Sequence, residues 1–121
     1  MSGSHDWVDV EEVPLTWGTF RFVRHALGAT ALGFSQVDFP PGKVGSEHDE
    51  AESGQEEVYV CLAGGGTLTV DGVELELFPG RYVLVSPEAR RRPAAGQEGM
   101  SFLVVGGLPG GVYQPWDPPA E

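Results

Sequence analysis

The stretch EEVYVCLAGGGTLTVDGVELEL, residues 56–77, decides how this chain folds. Residues 56–62 and 66–70 carry the two-residue hydrophobic alternation of half-buried strands. Asp71-Gly72 follows, a pair whose residues tolerate positive φ and which closes two-residue hairpins. Residues 73–77 then alternate again, so 66–77 reads as a β-hairpin.

Outward from this hairpin the same grammar recurs. Strand signals lie at residues 19–23, 29–39, 81–85 and 100–106, each ended by Gly, Pro or Asp. Seven or so short strands result, with no convincing helix and no helical crossover. An all-β fold follows, a sandwich or a barrel. The tail GGVYQPWDPPAE, residues 110–121, is rich in turn residues and is expected to lie across the surface.

The chain has 121 residues, suited to one domain, and we treat residues 1–121 as a single unit. Its 18 Gly and 10 Pro favour turns over long helices. Eighteen acidic against seven basic residues give a net charge of −11, which repels phosphate backbones and anionic membranes. Neither nucleic acid nor membrane is therefore expected as a partner. The N-terminus has no basic segment followed by an apolar run, and no apolar run reaches the length of a bilayer span. A cytoplasmic location is expected. The single cysteine, Cys61, falls inside a strand pattern and reads as a buried, inert thiol.

The order of strands and turns resembles the cupin superfamily, small jelly-roll β-barrels with two signature motifs. The first motif runs Gly, five residues, His, one residue, His, three or four residues, Glu, six residues, Gly. Here Gly42 precedes His48 by five intervening residues, and Glu57 precedes Gly64 by six. The second motif starts at Pro-Gly and ends in a Pro-rich turn with a third His; Pro79-Gly80 and Ser86-Pro87 match its frame. The resemblance implies a barrel core over about residues 18–106, with N- and C-terminal arms. It also implies that the glycines at 64–66 form the turn of the first motif.

Two of the family's three histidines are missing. Glu50 stands at the second position, with six residues between it and Glu57, so the loop AESGQE reads as an insertion. The third position falls at Arg91, flanked by Arg90 and Arg92, and the sequence leaves open whether Arg90 or Arg91 takes it. What the resemblance implies is a site of His48, Glu50 and Glu57 for a divalent transition metal such as Zn, Mn, Fe or Ni, or else no metal at all. Glu52 and His25 are alternates, and Gln55 is a further substitute. His48 and Glu50 are two apart, so on a strand they share a side. The competing readings are a solvated loop histidine and, for the arginine run, a solvated surface turn. An inward Arg91 cannot ligate a metal. It would pair with a carboxylate or orient an anionic ligand.

Tyr59, Tyr82 and Phe34 are expected to line a ligand pocket together with Arg91. Tyr82, Leu84 and Ser86 are expected to share a face, as are Phe20 and Phe22. The first functional reading is a barrel that binds a small, anionic or carbonyl-bearing molecule. The alternatives are a metal-dependent isomerase, epimerase or dioxygenase, and an inert interaction or sensor module. The resemblance also implies a homodimer, with Trp7, Trp17 and Trp116 available to cover a neighbouring subunit.

Overall fold

The computed structural model describes residues 3–119. A 3-10 turn at Val10–Glu12 leads into β1 (Phe20–Arg21) and a short helix α1 (Val23–Leu27). Then come β2 (Gly33–Phe39), β3 (Glu56–Val70), β4 (Val73–Leu77), β5 (Tyr82–Val85) and β6 (Arg91–Gly107). All ladders are antiparallel, in the order β1-β2-β6-β3-β4, with β5 also on β3. The fold is the all-β jelly-roll barrel expected.

Two long strands build the barrel by serving both of its sheets. The first half of β3 lies between β5 and the C-terminal half of β6, while its second half lies between β4 and the N-terminal half of β6. The change of sheet falls at residues 61–66, where the β3–β6 register shifts twice. Shifts of this kind bend a strand and let it turn a barrel corner. The glycines at 64–66 are therefore a bend within one strand, where the sequence suggested a turn between two. Gly64 sits at φ +70, and a Cβ on Gly66 would overlap the carbonyl oxygen of Ala94 on β6. Only glycine lets the two backbones come this close. The hairpin at Asp71-Gly72 is as expected, with both residues at positive φ (47° and 80°).

The core is the inner face of these strands: Val37, Phe39, Tyr59, Cys61, Leu68, Leu77, Val85, Met100 and Phe102 are all buried. Phe102 packs edge-on to Phe39 (5.3 Å between centroids) and stacks on Tyr59 (6.1 Å). Cys61 is buried as expected, and burial pushes its thiol pKa up.

Two further segments differ from the sequence expectation. The strand signal at 19–23 yields only Phe20–Arg21 before the chain turns into α1, which ends on Gly28 in the left-handed region at φ 77. The arginine run is not a turn: Arg91 opens the 17-residue strand β6. Among the described residues no helix is long and apolar enough to cross a membrane.

Candidate functional site

One end of the barrel is hollow. A cavity of about 850 Å³ opens there, walled by aromatic and aliphatic side chains including Phe20, Phe22, Phe39, Phe102 and Val104. Polar groups collect at one side: His48, Glu50, Ser53, Gln55, Glu57 and Tyr59. A mainly apolar pocket with a few convergent polar groups is the ordinary form of a small-molecule site.

The elements that place these polar groups are specific. Glu57 and Tyr59 project inward from β3 with Cys61, two residues apart along one face. Glu57 is opposite Val85 and Gly106, and Tyr59 opposite Val83 and Val104. His48 lies in the β2–β3 connection and is pinned by a pair of backbone hydrogen bonds. Its N–H donates to the Arg91 carbonyl (3.0 Å), and the Arg91 N–H donates back (2.8 Å). Glu50 is held by its own N–H, which donates to the Pro87 carbonyl (2.8 Å).

In this frame His48, Glu50 and Glu57 each offer one ligand atom, and the three atoms lie within 4.8 Å of one another. His48 Nε2 is 3.3 Å from Glu50 Oε2, and Ser53 Oγ donates to Glu50 Oε1 (2.8 Å). Tyr59 donates its hydroxyl hydrogen to Glu57 Oε1 (3.3 Å). Arg91 stands behind Glu57, with Nη2 3.6 Å from Oε1. Its guanidinium also donates to the carbonyls of Ala89 (2.9 Å) and Ser86 (3.3 Å). Its Nε is buried with no hydrogen-bond partner.

The electrostatics separate the two carboxylates. The hydrogen bond from His48 holds the Glu50 pKa below the usual carboxylate range. Burial, and then the charge of Glu50, pushes the Glu57 pKa up. The same contact with Glu50 raises the His48 pKa. Burial first and Glu57 second move the Tyr59 phenol far above its ordinary value, so it stays a hydrogen-bond donor. Two neighbouring carboxylates with environments that pull their pKa values apart make a natural acid–base pair.

The donor chemistry fits a divalent ion. One imidazole nitrogen and two carboxylate oxygens suit Mn, Fe, Zn or Ni, and all three residues border the cavity. The orphaned Nε of Arg91 marks a buried cation that shares this carboxylate-rich corner. One positive charge beside two negative ones still leaves a net attraction for a metal.

The other residues singled out from the sequence are placed as follows. Tyr59 and Phe34 border the cavity, although the register pairs Phe34 with Val105 on the sheet face opposite Val37 and Phe39. Tyr82 does not border it. Tyr59 pairs with Val83, so the pleat turns Tyr82 and Leu84 outward, and Tyr82 is 72% exposed. Arg91 points inward at 0% exposure but lies behind the cavity wall rather than on it. Its guanidinium meets Glu57 and the carbonyls of Ala89 and Ser86. Arg90 takes the outside, 3.3 Å from both Glu47 and Asp49. Glu52 is exposed and outside the donor group. His25 borders the cavity on α1, where it lies 3.0 Å from Asp117, and it is not in the donor group.

Sequence reasoning missed the C-terminal strap. Residues 113–116 form part of the cavity wall. Tyr113 packs on Gly33, where any side chain would collide with its ring. Arg24 is buried and donates to the Trp116 carbonyl (3.0 Å) and the Asp117 carboxylate (2.9 Å). The Trp116 ring lies 5.2 Å from that of Phe22. The available signal was the cluster of Tyr113 and Trp116 in a turn-rich tail.

An antiparallel jelly-roll barrel with a His-and-carboxylate group bordering its cavity is the architecture the structure defines. The Cupin domain family matches residues 35–106, and the chain belongs to that family. Among curated proteins it is 30% identical over 105 residues to dimethylsulfoniopropionate lyase DddW of Ruegeria pomeroyi, covering 78% of this chain and 67% of that enzyme. Among solved structures it resembles a cupin protein of Bacteroides fragilis (TM-score 0.73, 21% identity, 100% and 99% of the two chains). It also resembles a predicted oxalate decarboxylase of Thermotoga maritima (TM-score 0.64, 22% identity, 74% and 79%). KdgF of Halomonas sp. shares the fold as well (TM-score 0.61, 18% identity, 90% and 92%). At these identities the structural likenesses carry the fold alone.

Proposed function

We propose that this cupin binds a small molecule in the barrel cavity over a divalent metal ion held by His48, Glu50 and Glu57. The observation that supports the reading is the convergence of three donor atoms within 4.8 Å at the polar side of an otherwise apolar cavity. When bound, such an ion supplies Lewis-acid polarisation of a coordinated oxygen. The chain's own residues do the rest. Tyr59 and Arg91 both meet Oε1 of Glu57, and Ser53 donates to Oε1 of Glu50. Apolar walls exclude water from the ligand. The strap at residues 113–116 covers one flank.

The test is calorimetric titration of the metal-stripped protein with Mn²⁺, Fe²⁺, Zn²⁺ and Ni²⁺. One ion per chain, with binding lost in His48→Ala and in Glu57→Gln, is the expected result. No saturable binding, or binding untouched by both substitutions, overturns the proposal.

The lyase relative favours a second reading, a metal-dependent elimination on a carboxylate substrate. Such a reaction needs a group to take a proton beside the carboxylate. Glu50, whose pKa the contact with His48 lowers, is the acceptor this site offers as the carbon–sulfur bond breaks and dimethyl sulfide leaves. Incubation with dimethylsulfoniopropionate and headspace detection of dimethyl sulfide tests it. Release that disappears in Glu50→Gln supports the lyase reading. No release removes that reading and leaves the binding proposal standing.

The same proposal has two copies pairing through the outer sheet face. There the register sets Val58 beside Leu84 and Val105, and Val60 beside Tyr82 and Leu103, with no charged side chain among them. In a chain of net charge −11, an uncharged face is where two copies meet with least repulsion. Light scattering on the eluting protein tests it: a mass of one chain overturns the pairing.

A further inference from the structure

We propose that Arg91 sets the ligand class of this site: it leaves the metal-loaded centre one positive charge in excess, so that the cavity takes an anion, and takes it only after the metal. The inference rests on the metal reading above. It concerns a residue that neither touches the cavity nor can ligate the ion.

The argument is one of charge and position. Arg91 is fully buried, and its guanidinium lies 3.6 Å from Glu57. The double backbone bridge to His48 fixes its main chain beside the donor group, and bonds to the Ala89 and Ser86 carbonyls hold the guanidinium in place. A guanidinium stays protonated at any working pH. Other cations near the cavity are placed differently. Arg24 is bound to Asp117, and Arg90 lies outside beside Glu47 and Asp49. Lys43 borders the opening from an exposed position.

Without metal, two carboxylates outweigh Arg91, and the pocket repels an anion, as does a chain of net charge −11. A divalent ion cancels the carboxylates. The charge of Arg91, 3.6 Å from Glu57, would then be left over beside the donor group. Buried charge in a low-dielectric wall is screened far less than charge at the surface. The metal therefore switches the local potential from repelling to attracting, and metal and anion bind with positive coupling, each raising the affinity for the other. Arg91 is a positioning residue here, acting through Glu57 and through its field.

The experiment compares propionate with propionamide, probes matched in shape and different in charge, by calorimetry on Mn²⁺-loaded protein. Propionate is expected to bind about tenfold or more tightly than propionamide, the discrimination one unit charge gives even at about 12 Å with an effective dielectric near 20. The preference is expected to vanish in metal-free protein. Arg91→Gln is expected to bind Mn²⁺ several-fold more tightly and propionate about tenfold more weakly, by the same charge argument. Arg91→Lys is expected to restore both. A purely structural role would weaken both ligands together, and that result overturns the proposal. Equal affinity for the two probes in the loaded wild-type protein also overturns it, and this comparison requires no variant to fold. Failure of Mn²⁺ to bind at all is a separate outcome, which removes the metal reading and this inference with it.

Discussion

Replacing Phe102 with alanine tests the link between the core and the cavity. The ring is buried, packs edge-on to Phe39 and stacks on Tyr59, whose hydroxyl steadies Glu57. Truncating a buried Phe to Ala costs about 3–5 kcal/mol, including about 0.5–1.5 kcal/mol for each aromatic pair lost. Phe102 also borders the cavity, so water can fill part of the void, which places the expected cost near the low end, about 3 kcal/mol. At a urea dependence of about 1.5–2 kcal/mol per M, the unfolding midpoint should fall by about 1.5–2 M. Equilibrium urea unfolding followed by far-ultraviolet circular dichroism measures it. Leu62→Ala is the control, because Leu62 is on the outer side of the same strand pair and 47% exposed; its cost should stay under about 1 kcal/mol. Equal losses for the two variants, or a Phe102→Ala cost below about 1.5 kcal/mol, would refute the alternation that places one residue in the core and the other outside.

Three further outcomes are expected. Glu50 raises the pKa of His48, so the pair's stabilisation should be full below the unfolded-state histidine value and fade as pH rises through the higher folded value; NMR titration of the His48 ring should show that value falling toward 6.5 in Glu50→Gln, and an unchanged value would count against the contact. Glu57 likewise has a raised folded pKa, so stability should decline as pH rises through it, and Glu57→Gln should flatten the decline in melts taken between pH 4 and 8. Gly66→Ala should cost at least about 2 kcal/mol by forcing β3 and β6 apart, while Gly96→Ala, whose nearest contact is 3.3 Å, should cost clearly less in the same thermal melts.

The C-terminal strap gives a fifth prediction. Asp117→Ala removes the carboxylate that Arg24 holds and should speed amide hydrogen exchange across residues 113–117, leaving the rates in β3 and β6 unchanged. Rates that do not change in the strap would show that the Trp116 ring contacts and the Arg24 bond to the Trp116 carbonyl suffice to hold it.

Much of the fold is written in local pattern. Two-residue alternation marked the strands, and Asp71-Gly72 marked the hairpin, because side-chain direction along a strand and positive φ in a turn depend on neighbours in the chain. The spacings from Gly42 to His48 and from Glu57 to Gly64 pointed to the family and to three residues that the barrel brings together. The sequence alone did not decide what depends on register between distant segments. Gly66 reads as a turn until Ala94, far along the chain, is laid against it. The outward side of Tyr82 follows only from the pairing of Tyr59 with Val83. Arg91 is buried and Arg90 and Arg92 are exposed because β6 pairs with β3 at Val70, and His48 bridges to that same residue. The buried sequence of Ala89, Arg91 and Pro93 carries the two-residue period, but a run of three arginines masks it from any reading by residue type. Tertiary pairing settled which positive charge entered the barrel, because burying a guanidinium is tolerable only where a carboxylate and backbone carbonyls from other segments meet it.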